Sequence, residues 1–417
     1  MSEHDAERVR LGFAVRVSAL FAAFFFIAGL QLAYLPVWLD WAGLGSREIA
    51  IVTATPLIVR IAATPLIGFA ADRSGDRRRF LIALSWAALA VLLMLAQARG
   101  FWAILAVMLI FAVAWTSIMP LTETVAMGGV RAAGLDYGRM RLWGSLSFIA
   151  ASFCGGLVVE RLGAGAIIWL IVIGGTLMTA AAHALEKPIG LGRLQAATSP
   201  PRLKLSGALS LLSSRVFLLL LMAGGAVQAA HAVLYTFSTL HWRAQGLSAE
   251  WCGLLWAISV TAEIGLFAFS RAAVARLGAV QLIGLGAAAG IVRWLAMGFD
   301  PPLALLVPLQ VLHGLTFGAT HLGAMHVMAR AVPEGRAGTA QALYASVTGG
   351  LAMGGAILLA GPLYANLGGR AYWAMAGLAA VGLAADLLLL RRSRGRSDDP
   401  PARSGNQRLM RELQFPR

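Results

Sequence analysis

Gly68-Phe69-Ala70-Ala71-Asp72-Arg73-Ser74-Gly75-Asp76-Arg77-Arg78-Arg79 is a short polar turn set between two long apolar runs. Charged side chains crowded into one turn cannot enter hydrocarbon, so the turn belongs in water at one membrane face. The runs on either side, 47–70 and 79–98, each approach the roughly 20 apolar residues that one crossing requires. Span, polar turn, span is therefore the local reading.

The same alternation continues in both directions. The chain has 417 residues, of which 59% are hydrophobic and 13% charged, and its mean hydropathy is +0.75. Soluble domains are about 45–50% apolar and about a quarter charged, so a water-soluble enzyme is excluded. Disorder and coiled coil fall with it. A membrane β-barrel would alternate in hydrophobicity along each strand, whereas these runs are continuous. Allowing about 35 residues for each pass and its loop gives about twelve crossings. They are expected near 12–38, 47–70, 79–98, 101–127, 142–161 and 165–185, then 214–240, 250–270, 279–298, 303–329, 338–361 and 371–390. The fold class is an all-α membrane protein, twelve transmembrane helices in two six-helix bundles. Residues 1–185 form the first bundle, 186–213 a polar cytoplasmic linker, 214–390 the second bundle, and 391–417 a basic cytoplasmic tail expected to be disordered.

The formal net charge is +15, from 34 Lys+Arg against 19 Asp+Glu. Because the cations lie between apolar runs, the excess reads as a topology signal rather than a nucleic-acid surface. With the N-terminus inside, the outside segments hold Arg47, Arg99, Arg161, Arg243 and Arg370, and most other arginines fall inside. Both termini are thus expected in the cytoplasm. The first run follows a mixed-charge leader without a small-residue cleavage site, and reads as a span rather than a removed signal. Cys154 and Cys252 fall within spans and form no recognisable redox or metal spacing.

The two halves resemble each other. YLPVWLDWAGLGSREIA from Tyr34 parallels YTFSTLHWRAQGLSAEW from Tyr235, each ending a first span and opening a second. A six-plus-six repeat places a binding site near the midplane between halves.

The 68–79 turn resembles the signature loop of the major facilitator superfamily, in which Gly68, Asp72, Arg73 and Gly75 act as a gating loop. Gly68 lets helices approach, and Asp72 can cap a neighbouring helix N-terminus. The corresponding Ser270-Arg271-Ala272 lacks the acid. LDYGRMRLWGSLSF, HAVLYTFSTLHW, AEIGLFAFS, IVRWLAMG and LHGLTFGATHLGAMH resemble the phenylpropionate permease family, itself similar to the lactose permease branch. That resemblance implies proton-coupled import of a small anionic aromatic carboxylate such as 3-phenylpropionate. It also implies a bacterial inner-membrane location.

Ionisable groups inside spans face a partner or a wet cavity. Glu123 lies deep in span four and Arg141 opens span five. Lactose permease uses an acid and an arginine at this separation as its substrate-binding pair, so the resemblance gives Glu123 and Arg141 that role; the alternative is a structural ion pair. Arg141, Ser145, Phe148 and Ser152 share a helical stripe. Phe148 stands where lactose permease has a sugar-stacking tryptophan, which argues against a sugar. His231 and Tyr235, with Gln228 and Ser238, form a polar stripe on span seven. Glu263, Arg293 and His313 match the order of the lactose permease proton pathway, but Thr316 occupies the position of its further glutamate. Glu263 or Glu123 then carries the proton, with Arg293 and His313 controlling its release; the alternative is a static Glu263–Arg293 pair. His231 and His313 can equally be interhelical hydrogen-bond partners, as can His321, while His183 and His326 read as structural. Trp115, Trp143, Trp256 and Tyr344 are candidates to stack on an aromatic substrate, or to meet lipid. Arg60 either lines the cavity or has a buried partner. Arg60, Arg141 and Arg293 against Glu123 and Glu263 leave one cation in excess, which favours an anionic substrate.

No P-loop exists, since Lys187 precedes Pro188 and Lys204 precedes Leu205. No HExxH or GxSxG motif occurs either. No metal or cofactor is expected; the proton gradient supplies the energy. The partners are the small-molecule substrate, protons and membrane lipids, without nucleic acid, and the chain is expected to act as a monomer. A sugar or nucleoside symporter is the alternative cargo reading. An intramembrane enzyme would need a catalytic cluster that the sequence lacks, and a non-transporting sensor would bind ligand without flux.

Overall fold

The structure is a computed structural model that describes residues 3–185, 205–333 and 336–397. The described residues are helical with short turns. Spans one to six run Glu3–Trp41, Ser46–Ser74, Arg77–Gln97, Phe101–Ala133, Tyr137–Leu162 and Ile167–Ala184. Span seven is Arg215–Ala229 continued by Ala232–Ala244, and span eight is Ala249–Ala268. Span nine is Ala279–Met297, and span ten runs from Leu303 to Ala331 through a π-helical segment, Gly314–Ala319. The last long helical stretch, 337–392, is two spans and not one. Gly368, at φ 55, breaks it with a 3-10 turn that most residues would resist. Span eleven therefore ends at Leu367 and contains a second π-helical segment, Ala345–Ala352, while span twelve is Ala371–Ser397.

Polar side chains set the starts. Asp76, Asp136, Ser214 and Ser248 each accept a hydrogen bond from the backbone N–H three residues on, satisfying donors that hydrocarbon could not. Three of the differences from the sequence boundaries move charged or linker residues. Span five starts a turn earlier, at Tyr137, so Arg141 lies inside the helix and does not open it. The linker's end is helical at Leu205–Leu212, and Ser210 there accepts from Arg336 Nη1 at 2.6 Å. Span twelve continues past Arg391 to Ser397, so the tail's first residues are helical; residues 186–204 and 398–417 lie outside the described residues.

Packing repeats with the sequence. In the first half, span one packs on five and six, two on four, and three on four and six. The second half makes the same pairings six spans later, seven on eleven and twelve, eight on ten, nine on ten and twelve. The halves meet where span five lies on span eight and span two on span eleven, two contacts related by the same exchange.

One end of this interface is sealed. The buried Tyr34 hydroxyl donates to Ser152 O at 2.8 Å and, across the halves, to Ala249 O at 3.1 Å. Glu160 Oε2 accepts from Arg243 Nη1 at 2.5 Å and from Ala249 N at 2.8 Å. A Cβ at Gly156 would stand 2.5 Å from Ala249 O, and one at Gly253 would collide with Ser152 O; only glycine lets spans five and eight approach this closely. Apart from Arg60 to Ala345 O, the cross-half hydrogen bonds among the described residues gather at this Glu160 end.

Tyr34→Phe removes the hydroxyl and its hydrogen bonds to two helix carbonyls, at about 1–2 kcal/mol. The population open at the Glu160 end should then rise about tenfold. Spin-label distances between the 41–46 and 244–249 turns, in a cysteine-free background, measure this. An unchanged distribution would show that the seal does not depend on Tyr34.

Candidate functional site

A cavity of about 810 Å³ lies between the halves. Its wall draws Gln31 from span one, Arg60 from two, Glu123 from four, Phe148 from five, Tyr235 from seven and Tyr344 from eleven. It extends toward the Asp72 end, as far as Met325 and Gln341. Of the residues proposed from sequence to bind substrate, Glu123, Phe148 and Tyr235 line it, whereas Arg141 and His231 do not. Trp115 also lines it and stacks on Phe24, with centroids 4.2 Å apart. Trp143 is exposed on the outer surface, and Trp256 is buried with Nε1 donating to Thr239 Oγ1 at 3.0 Å.

Behind Tyr235 is a polar network inside the second half. Arg293 is fully buried. Its Nη2 donates to Gln310 Oε1 at 2.7 Å, and its Nη1 to Thr316 Oγ1 at 3.1 Å and His313 Nδ1 at 3.2 Å. Its guanidinium also lies over the Trp294 ring, 4.6 Å from the centroid. The alternative static Glu263–Arg293 pair is not formed. Glu263 instead faces His313, with Oε2 3.9 Å from Nε2, near enough for charge interaction but beyond hydrogen-bond range. Thr316, in the place of the expected glutamate, bridges Arg293 to His231 Nε2 at 3.0 Å.

Donor and acceptor rules assign the protons. A guanidinium only donates, so His313 Nδ1 accepts and its proton sits on Nε2, toward Glu263. Backbone carbonyls only accept, and His231 Nδ1 lies 3.0 Å from Val227 O and 3.2 Å from Gln228 O. His231 therefore carries its proton on Nδ1, and Nε2 accepts from the Thr316 hydroxyl. Each ring is committed to its neighbours with a single proton. Glu263 is the acid at the free end of this chain.

In the first half, Glu123 and Arg141 make no ion pair within 4 Å. Glu123 Oε1 accepts from the Tyr137 hydroxyl at 3.3 Å. Arg141 stacks on Phe25, 3.8 Å from the ring centroid, and its Nη1 is buried without a hydrogen-bond partner. Both Glu123 and Glu263 act on Arg141 through space, so one cation of the first half sits in the field of acids from both halves.

The 68–79 turn also differs in detail. Asp72 pairs with Arg77 at 2.6 Å, and Asp76, not Asp72, caps span three by accepting from Arg79 N at 3.1 Å. Gly75 ends span two at φ 70, and Arg73 is exposed. A Cβ at Gly68 would meet nothing within 4 Å, so Gly68 does not serve a close helix approach here. Arg78 ties the turn to span six through the carbonyls of Leu185 and His183.

Sequence reasoning passed over three residues. Gln310, one turn before His313, accepts from Arg293, and Ser259 donates to it at 3.0 Å. Asp386 on span twelve is buried against Gly284, its Oδ1 without a partner. An isolated polar residue in an apolar run was the available signal for both Gln310 and Asp386.

Residues 15–375 match the MFS_1 like family. The chain is 33% identical over 365 residues to the "Probable 3-phenylpropionic acid transporter" of Escherichia coli (strain K12), covering 85% of this chain and 92% of that protein. It is 29% identical over 373 residues to the maltose permease of Geobacillus stearothermophilus, covering 89% and 93%. In structure it resembles a variant of the nucleoside transporter NupG, with TM-score 0.79 and 19% identity, over 90% of this chain and 99% of that one. These relatives are transporters and not enzymes. The chain is thus a multi-pass secondary transporter for a small molecule, and it belongs to the MFS_1-like family of the major facilitator superfamily.

Proposed function

We propose that this transporter imports a small aromatic carboxylate such as 3-phenylpropionate together with protons, by alternating access between its two bundles. The observation that carries this reading is the cavity wall. Trp115, Phe148, Tyr235 and Tyr344 present aromatic surface around a space of about 810 Å³, and flat rings favour a flat apolar body. The 33% identity to a protein named for 3-phenylpropionic acid supports the same cargo. The relatives named for maltose and nucleosides favour a second reading, a sugar or nucleoside symporter, for which Gln31, Gln228 and Glu123 on the wall are the hydrogen-bonding groups.

Glu263 carries the proton. His313, itself bonded to Arg293, faces it from one side, and Arg141 acts on it from the other half. When the halves rock apart at the interface of spans five and eight, Arg141 withdraws and Glu263 takes up a proton. When they close, the returning cation favours the ionised carboxylate. Glu123, hydrogen-bonded to Tyr137 at the cavity wall, is a substrate-facing acid. The 68–79 turn acts as a gating hinge through Asp72 and Arg77. The arginine distribution supports a bacterial inner-membrane orientation with both termini cytoplasmic; the cavity then opens inward and the Glu160 end is the outer seal. The protein works as a monomer without cofactors.

Proteoliposomes should accumulate radiolabelled 3-phenylpropionate above protein-free liposomes, and an inward proton gradient should stimulate the uptake. The control is essential because the protonated acid crosses lipid unaided. No excess uptake by folded protein would move the cargo to sugars, nucleosides or other acids. Glu263→Gln should abolish gradient-driven accumulation and retain exchange of internal for external substrate. Unchanged accumulation would remove Glu263 as the proton carrier.

A further inference from the structure

We propose that Arg60 is the anion anchor of the central cavity and holds the carboxylate of the cargo, a role that rests on the reading of that cargo as an aromatic acid. Arg60 lies in span two between Pro56 and Pro65, on the cavity wall. Its Nη2 reaches across the halves to Ala345 O at 3.3 Å, the first residue of the π-helical segment of span eleven. A Cβ at Gly349, in the same segment, would stand 2.8 Å from Nη2. Glycine there leaves the guanidinium its place beside the cavity.

The charge account singles out this residue. A guanidinium offers five N–H donors, and one long contact to a carbonyl is the hydrogen bond Arg60 makes among the described residues. No carboxylate lies within 4 Å of it among those residues. Glu123, the acid on the same wall, instead acts on Arg141. A cation at membrane depth without a counter-ion is costly, and an incoming anion relieves that cost.

The other two mid-span arginines are engaged elsewhere. Arg293 is fully buried with both Nη atoms bonded to Gln310, His313 and Thr316. Arg141 stacks on Phe25 away from the wall. Near Arg60 the wall supplies what a phenyl-bearing monoanion needs. Trp115, stacked on Phe24 and Phe111, and Tyr344 supply aromatic surface. Arg60 also borders a smaller cavity of about 440 Å³ that reaches Thr64 and Ser346, so the guanidinium stands at a partition with open space on two sides. A carboxylate there accepts two parallel N–H bonds from the planar fork. Because Arg60 and Ala345 belong to opposite halves, an anion that draws Arg60 from that carbonyl acts on the interface between spans two and eleven.

Calorimetric titration of the purified protein with 3-phenylpropionate and with its neutral amide tests the assignment. Arg60→Gln should weaken binding of the acid about thirtyfold, the value of a charge-assisted hydrogen bond, and leave the amide unchanged. Arg60→Lys keeps the charge without the fork and should fall between; it provides the readout if the glutamine variant does not fold. Arg141→Gln should affect the acid less than Arg60→Gln. Wild type that binds the acid while both Arg60 variants bind it equally well would overturn the anchor alone. Equal losses for acid and amide would also overturn it, by marking a structural role. Wild type that fails to bind the acid would overturn the aromatic-acid reading and the anchor together.

Discussion

Hydrocarbon offers no partner to a charge, and the rest of this structure follows from that constraint. Arg293 survives at full burial because Gln310, Thr316 and His313 surround its guanidinium with acceptors and Trp294 supplies a ring face. Those bonds assign the histidine protons and turn the His313 Nε2 proton toward Glu263. Arg141 is compensated differently, by aromatic rings and by the fields of two acids that lie in different halves. Arg60 has the least compensation of the three.

The same constraint acts on the backbone. Each span closes its own hydrogen bonds, and the halves dock through side chains small enough to admit a neighbouring carbonyl, as Gly156 and Gly253 do. Buried donors then complete the seal, Tyr34 to Ser152 and Ala249. Two π-helical segments, Gly314–Ala319 and Ala345–Ala352, interrupt this regularity. Such bulges recur at functional sites. Here one carries Thr316, which links Arg293 to His231, and the other carries Ala345 and Gly349, which meet Arg60.

The internal repeat explains why the chemistry is unevenly divided. Both halves use the same helix pairings, but the first half supplies Glu123, Phe148 and Arg60 to the cavity wall, and the second buries Arg293 behind Tyr235. Arg141 of the first half and Glu263 of the second interact electrostatically across this division. The NupG variant shares this frame at 19% identity.

The amino-acid sequence alone determined the class and the order of the spans, because burying twenty apolar residues in lipid is a local property of each run. It also located the polar turns and the ionisable residues, since each stands out against an apolar background. Which of those residues meet was decided only by tertiary structure. Helical periodicity placed Arg141 on a stripe with Phe148 but could not turn it onto Phe25. The resemblance to the lactose permease order grouped Glu263 with Arg293, yet the neutral Gln310 took the guanidinium. A π-helical turn rotates every later side chain relative to a 3.6-residue count, so the face presented by Thr316 or Gly349 was not readable from spacing. The partner of Arg60 and one of the two partners of Tyr34 lie in the opposite half, and contacts between halves depend on how two finished bundles dock, a property that no single segment encodes.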